Sequence, residues 1–297
     1  MSVSQAPVLV TGVTGNQGGA TARLLLTEGV AVRALVRDPA APVARELAAL
    51  GAELAVGDFD DPDSLAAATA GARAVFGMPP ATYGPGGWDV EVEARRGIAL
   101  VEAAVRAEVE QFVFSGVATF TGPHRGAAGK ERIEEHVVAS GLRYTLLRPV
   151  RFMENYLSVG FPIDGVTGGV HRHLFPTDRP TQMIAVADIA VFAALAFADP
   201  DGFHGRVLEL AGDAVTMGDA AAAIAAATGH PLRYSELTEA QADELGPDIG
   251  AVWRRTREGD GWHADIPALR EIHPGLRTFT DWLTESGADR LKPLLAG

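Results

Sequence analysis

The chain has 297 residues, 47% of them hydrophobic and 21% charged, a composition that excludes intrinsic disorder and leaves enough chain for a sizeable core. Twenty-five Lys and Arg stand against 38 Asp and Glu, a net charge of −13, which argues against a direct nucleic-acid or anionic-membrane partner. Cysteine is absent, so disulfides, a thiolate zinc site and a thiol nucleophile are excluded.

Val8 to Thr11 reads as a buried strand that ends in a glycine-rich turn. Gly18 to Glu28 carries Ala22, Leu25 and Leu26 at helical spacing, and Gly29 closes that helix. Strands follow at 30–36, 52–56, 74–78, 111–115 and 143–147. Helices alternate with them at 42–50, 61–70, 89–107 and 130–140. This alternation, at about 20 to 30 residues per unit, predicts right-handed crossovers and a parallel sheet. The second half is less regular. Residues 152–181, rich in Gly and Pro, read as loops and short pieces rather than a linker. Helices are expected at 186–198 and 217–228 and within 239–257, with short strands at 206–210 and 232–237. The expected division is a Rossmann-type dinucleotide domain over 1–150, a doubly wound parallel sheet, and a smaller α/β lobe over 151–297 above the sheet edge. The chain is free to cross back between them.

Met1 to Pro7 has neither the basic nor the apolar region of a signal peptide. The most apolar stretch, 185–198, is interrupted by Asp188 and is too short to span a bilayer. A cytoplasmic protein without a membrane partner is expected.

The sharpest motif is Gly12-Val13-Thr14-Gly15-Asn16-Gln17-Gly18-Gly19, between a predicted strand and a predicted helix. That is the context of a dinucleotide fingerprint. Glycines permit the tight turn and the close approach of a pyrophosphate, and the helix N-terminus attracts the phosphates. Arg37 ends the second strand, 19 residues after Gly18. An acid there would bind the ribose hydroxyls of NAD, whereas an arginine suits the 2′-phosphate of NADP, so NADPH is expected over NADH. Asp58 and Phe59 end the third strand and suit either the adenine edge or an Asx turn. Met78 and Pro79 follow the fourth strand, where strand ends line the ligand crevice. The loop beyond them carries Tyr83 and Trp88, an aromatic lid for a planar substrate or a surface loop tacked down by its rings. His124, His171 and His173 fall in loops, and the one-residue gap of the last two is poor metal-ligand evidence, so no metal is expected.

The combination resembles the NmrA-like branch of the atypical short-chain dehydrogenases, and in particular the bacterial NADPH-dependent quinone oxidoreductase type. The residues that carry the likeness are Gly12 to Gly18, Val36-Arg37, Gly57-Asp58-Phe59-Asp60-Asp61 and Lys130 with Ile133-Glu134. Further on come Leu147-Arg148-Pro149, Phe152-Met153-Glu154-Asn155-Tyr156 and Glu209-Leu210-Ala211-Gly212. The resemblance implies an NADP site at the glycine loop, including Thr14, Asn16 and Gln17. It places Lys130 at the nicotinamide ribose or a substrate carbonyl, with Asn155 and Tyr156 toward the nicotinamide end. Phe152 and Tyr156 would then meet substrate, although Phe152 and Met153 equally suit a core.

One departure is decisive. Ordinary short-chain dehydrogenases place a Tyr four residues before the catalytic Lys, but Gly126 stands four before Lys130. The alkoxide-protonating pair is missing. Ser115 holds the place of a catalytic Ser but lacks that Tyr. Three functions follow: hydride transfer from NADPH to a small planar acceptor such as a quinone or enone, a non-catalytic NADP-binding redox sensor that acts through a protein partner, or, third in order, a non-redox member acting on an isomerisable substrate. Each reading allows a homodimer.

Overall fold

The computed structural model describes residues 6–80, 82–84, 87–120, 127–259 and 261–296. The chain starts with β1 (Val8–Val10), α1 (Asn16–Thr27), β2 (Val32–Val36), α2 (Pro42–Ala49), β3 (Glu53–Val56), α3 (Pro62–Thr69) and β4 (Ala74–Gly77). A short hairpin, β5 (Tyr83–Gly84) and β6 (Gly87–Trp88), precedes α4 (Val90–Arg106). Then come β7 (Gln111–Ser115), α5 (Ala128–Ala139) and β8 (Arg143–Pro149). The second half holds β9 (Arg151–Phe152), a 3-10 turn (Met153–Leu157), β10 (Val170–His173), β11 (Thr181–Ile184), α6 (Val186–Ala198), α7 (Pro200–Phe203) and β12 (Arg206–Leu210). It continues through β13 (Asp213–Val215), α8 (Met217–Thr228), β14 (Arg233–Glu236), α9 (Glu239–Leu245) and α10 (Pro247–Glu258). It closes with α11 (Ile266–Ile272), α12 (Phe279–Trp282), a π-helical turn (Leu283–Gly287) and α13 (Ala288–Ala296).

The central sheet has seven strands in the order β12-β8-β7-β4-β1-β2-β3. The five neighbouring pairs from β3 to β8 are parallel. Every residue of β1, β4 and β7 is buried, which is why β1, β4 and the middle of β7, Phe112 to Phe114, read as apolar runs: helices cover both faces. The helices between them start on carboxylates where they can. Asp61 accepts from the N–H groups of Asp63 and Ser64, and Asp89 from that of Val92. Gly29, at φ 76°, lets the chain leave α1 and enter β2.

The chain forms two compact units. The first comprises Met1–Val117, Gly126–Arg148 and Ile189–Leu208; the second comprises Ala118–Arg125, Pro149–Asp188 and Glu209–Gly297. The first unit is therefore completed by a segment that starts forty residues beyond β8 (from Pro149 to Ile189), because β12 extends the sheet beside it.

The second unit has a three-stranded sheet, β13-β11-β9, and a parallel pair, β10-β14. Its largest cluster gathers Tyr156, Met183, Met217, Phe279 and Trp282. The segment 152–181, expected as loops and short pieces, contains the 3-10 turn and strand β10. Its strand was hidden because the buried residues of β10 are His171 and His173, with Val170 and Arg172 on the other face.

Candidate functional site

The chain order of the sheet reverses between β1 and β4, and at such a switch point the strand ends leave a crevice for a ligand. Thr11 holds the two ends together. Its buried hydroxyl accepts from the Met78 N–H (2.8 Å) and donates to the Phe76 carbonyl (3.1 Å). Sequence reasoning missed this residue; the available signal was a polar side chain at the end of a wholly apolar strand.

The three spaced glycines do different work. Gly12 has φ +65°, and a Cβ there would sit 2.5 Å from the Met78 methyl. A Cβ on Gly18 would sit 2.3 Å from the Thr11 carbonyl oxygen and 2.5 Å from Gly12 backbone atoms, so the third glycine lets α1 pack onto the end of β1. A Cβ on Gly15 would meet only the Gly12 carbonyl, at 3.4 Å. Gly15 is the N-cap of α1 and supplies no side-chain acceptor. The first turn, formed by Asn16, Gln17 and Gly18, thus presents backbone N–H groups that no cap satisfies. An open approach in front of uncapped donors at a helix N-terminus fits a pyrophosphate.

Of the remaining residues expected around a dinucleotide, Thr14, Asn16, Arg37, Asp58, Phe59, Met78, Pro79 and Lys130 lie in the same unit, whereas Asn155 belongs to the second. Arg37 is exposed just after β2 and has no ion pair among the described residues. Asp58 accepts the Asp60 N–H (2.9 Å), an Asx turn, and Phe59 packs on the apolar core of the unit. Pro79 is buried and Met78 half-buried; Thr14 lies exposed in the loop and Asn16 exposed at the start of α1.

Lys130, on the first turn of α5, is ion-paired with Glu93 of α4, itself almost fully buried. Close helix packing permits this. A Cβ on Gly97 would sit 2.3 Å from Ile133, and one on Gly129 would sit 2.7 Å from the Glu93 carboxylate. Ser115 is buried and donates to the Gln17 side-chain oxygen (2.6 Å). It links the end of β7 to the glycine loop. Neither partner was legible in the sequence, because each pair is far apart along the chain.

Tyr83 and Trp88 face each other across the β5–β6 hairpin, with ring centroids 5.0 Å apart in an edge-to-face arrangement. At 43% and 41% exposed they form an external aromatic pair. The hairpin base is tied down: the Thr82 carbonyl accepts from the Asp89 N–H (2.9 Å), and its hydroxyl accepts from Arg96 (3.0 Å). Arg96 also pairs with Asp60, which holds that carboxyl at about 2.

The second unit contains Phe152, Asn155 and Tyr156. Phe152 is half-buried on β9, and Asn155 donates weakly to Asp164 (3.4 Å). Tyr156, expected toward a substrate, is fully buried; burial pushes its hydroxyl up to about 12. It packs on His171 and Phe279 and donates to the Met217 sulfur (3.8 Å). The side chain is part of the core of the second unit.

Beside it lies a buried polar cluster. Arg151 pairs with Asp164 and approaches the His173 Nε2 (2.9 Å) and the His171 Nε2 (3.5 Å). His171 Nδ1 donates to the Gly165 carbonyl (2.7 Å), which leaves Nε2 as an acceptor for Arg151. His171 and His173 are thus strand residues, not loop residues, while His124 lies outside the described residues. Among the described residues no group of three His, Cys, Asp or Glu side chains could hold a metal. Burial, aided by the Arg151 charge, lowers both histidines, His171 to about 3. Burial opposes ionisation of Asp164, yet Arg151 and His173 outweigh it and hold the carboxyl low. A histidine whose folded pKa is depressed stabilises the fold above its unfolded pKa and loses that contribution as pH falls toward the folded value. The contribution of His171 to stability is therefore expected to decline between about pH 6.5 and 3, by ~1 kcal/mol per pH unit. In a pH series of melting curves, His171→Gln should flatten that acid slope; an unchanged slope would refute the assignment.

Comparison with known proteins bears on family and fold. A family model described as the NmrA-like family matches residues 4–252. The chain is 33% identical over 247 residues to an NAD(P)H azoreductase of Xenophilus azovorans, covering 82% of this chain and 81% of that protein. Among solved structures, it is similar to the NADPH-dependent quinone oxidoreductase of Escherichia coli in complex with NADPH, with a TM-score of 0.74 and 25% identity. That match covers 93% of this chain and 98% of the other. It also shares its fold with NmrA, a negative transcriptional regulator solved with NADP, with a TM-score of 0.80 and 18% identity, covering 97% and 98%. No described helix is long and apolar enough to cross a membrane. With a Rossmann-type sheet, a glycine loop at its switch point and a family match over most of its length, the chain belongs to the NmrA-like family.

Proposed function

We propose that the protein is an NADPH-dependent oxidoreductase that reduces a small planar acceptor, a quinone or an enone in class. The observation that carries this reading is the loop Gly12 to Gly18, open in front of uncapped N–H groups beside the ends of β1 and β4. The similarity to an azoreductase and to a quinone oxidoreductase supports it. Arg37 would take the 2′-phosphate, and its exposed, unpaired guanidinium suits that role. The cofactor, when bound, supplies the hydride. The chain's own part is to orient. Thr11 fixes the two strand ends, Ser115 fixes Gln17, and Glu93 holds the Lys130 ammonium in place. The absent Tyr is tolerable for a quinone, because the hydroquinone oxyanion takes its proton from water, whereas an alkoxide needs a nearby acid.

A second reading, a dinucleotide sensor acting through another protein, is favoured by a specific observation. Lys130 and Ser115 are both engaged by side chains of the unit, and no Tyr accompanies them. The two separate in one assay, the loss of NADPH absorbance with a panel of quinones and enones. Saturable turnover is expected with NADPH and weaker turnover with NADH. Arg37→Gln should raise the KM for NADPH roughly tenfold or more, the worth of a hydrogen bond to a charged group, and leave NADH unaffected. Tight NADPH binding without turnover of any acceptor would overturn the reductase and favour the sensor.

A further inference from the structure

The second unit contains a cavity of about 140 Å³. Three aromatic rings build it. Phe120 and Trp262 stack at 4.7 Å, 29° from parallel, and Phe175 meets both nearly edge-on, at 80° and 63°. These walls are held in place before any ligand arrives. The Trp262 indole N–H donates to the Ala118 carbonyl (2.9 Å). Phe175 stacks on the buried His173 at 4.4 Å, and its carbonyl accepts from the Tyr234 hydroxyl. A cavity of roughly 150 Å³ holds one benzene ring, so this one is of single-ring size.

At its rim stands Arg179, the one charged side chain among the described lining residues. Its hydrogen bonds among those residues are two long ones to carbonyl oxygens, of Thr256 (3.4 Å) and Gly259 (3.5 Å). Carbonyls aim a guanidinium but do not neutralise it. No carboxylate among the described residues pairs with it; Asp260 is not one of them. An arginine beside an apolar, ring-lined cavity has the fork geometry that recognises a carboxylate or sulfonate, and pockets of this kind take ligands whose body is apolar and whose polar group is fixed by a few donors.

We propose that this cavity binds a single aromatic ring carrying an acidic substituent, with the ring against Trp262 and Phe175 and the anion on Arg179. Nothing in the proposal requires hydride transfer, so it stands or falls independently of the reductase. The test is titration calorimetry of the full chain with benzenesulfonate and, in parallel, with neutral phenol. Benzenesulfonate is expected to bind the native protein and to bind Arg179→Gln about tenfold or more weakly, the loss that removing a charged hydrogen bond produces. Phenol should bind both proteins alike. Arg179 is exposed, so its replacement leaves the fold intact, as a melting curve checks. Failure of benzenesulfonate to bind the native protein, equal binding to both proteins, or an equal loss of phenol affinity would each overturn the proposal.

Discussion

Gly18→Ala is expected to abolish dinucleotide binding and to destabilise the first unit, whereas Gly15→Ala should lose binding and keep full stability. The contrast comes from what each new methyl would meet. At Gly18 it would lie 2.3 Å from the Thr11 carbonyl and 2.5 Å from the Gly12 backbone. Neither is a flexible side-chain end, so α1 must move off β1. Overpacking of this kind costs about 1–3 kcal/mol or more, and the displaced helix carries its N–H groups away from the ligand. At Gly15 the backbone is extended, with φ −97° and ψ −179°, and the methyl would touch only one carbonyl at 3.4 Å. Alanine is therefore well tolerated by the fold. The methyl would instead occupy the approach left open for a pyrophosphate. Melting curves of the two variants with and without NADPH check this. A Gly15→Ala protein that binds NADPH with native affinity would sink the placement of the phosphates.

The second large effect is expected at Asp188. This carboxylate is fully buried on the first turn of α6. It accepts from the His273 Nε2 (3.0 Å), the Arg277 backbone N–H (3.1 Å) and the Arg277 guanidinium (2.5 Å). Arg277 bonds in turn to Glu285 (2.6 Å). One side chain thus fastens the chain around 273–277 to the start of α6. Asp188→Ala removes the fully buried acceptor that His273 and Arg277 share, a change that costs about 3–5 kcal/mol when a buried pair is broken from one side. For a chain of this size that is a fall of about 10 °C in Tm. Asp188→Asn, which keeps the shape and some of the hydrogen bonds, should lose markedly less. If both variants melt within a degree or two of the native protein, the carboxylate carries no such weight.

The first unit was legible because its physics is local. A strand buried on both faces must be apolar throughout, and a helix that ends on a glycine says so one residue later. Val8–Val10, Ala74–Gly77 and Gln111–Ser115 accordingly lie within one residue of where the hydrophobic runs put them. The glycine loop was legible for the same reason, although its last residues proved to be the first turn of α1. Partners were not. Ser115 and Gln17 are 98 residues apart, and Lys130 and Glu93 are 37 apart; no spacing rule announces such a pair. Strand β10 was missed because its partner β14 is some sixty residues away and its buried face is made of imidazoles, which hydropathy counts as surface. The last helices did carry local signals. Thr238 with Gln241 and Thr278 with Asp281 form reciprocal caps, a spacing that marks a helix start without any apolar run.

The return of residues 189–208 to the first unit also sets the order in which the protein is completed during synthesis. Strand β8 emerges with its outer edge open, because its neighbour β12 lies 57 residues later, from Pro149 to Arg206. At about 5–20 residues per second, that edge waits roughly 3 to 11 seconds for its partner. A fragment ending near residue 150 would never receive it and would present the unpaired edge of the seven-residue β8 to other chains. The dinucleotide half is thus not a separable N-terminal module: its sheet is finished only after most of the intervening part of the second unit has left the ribosome.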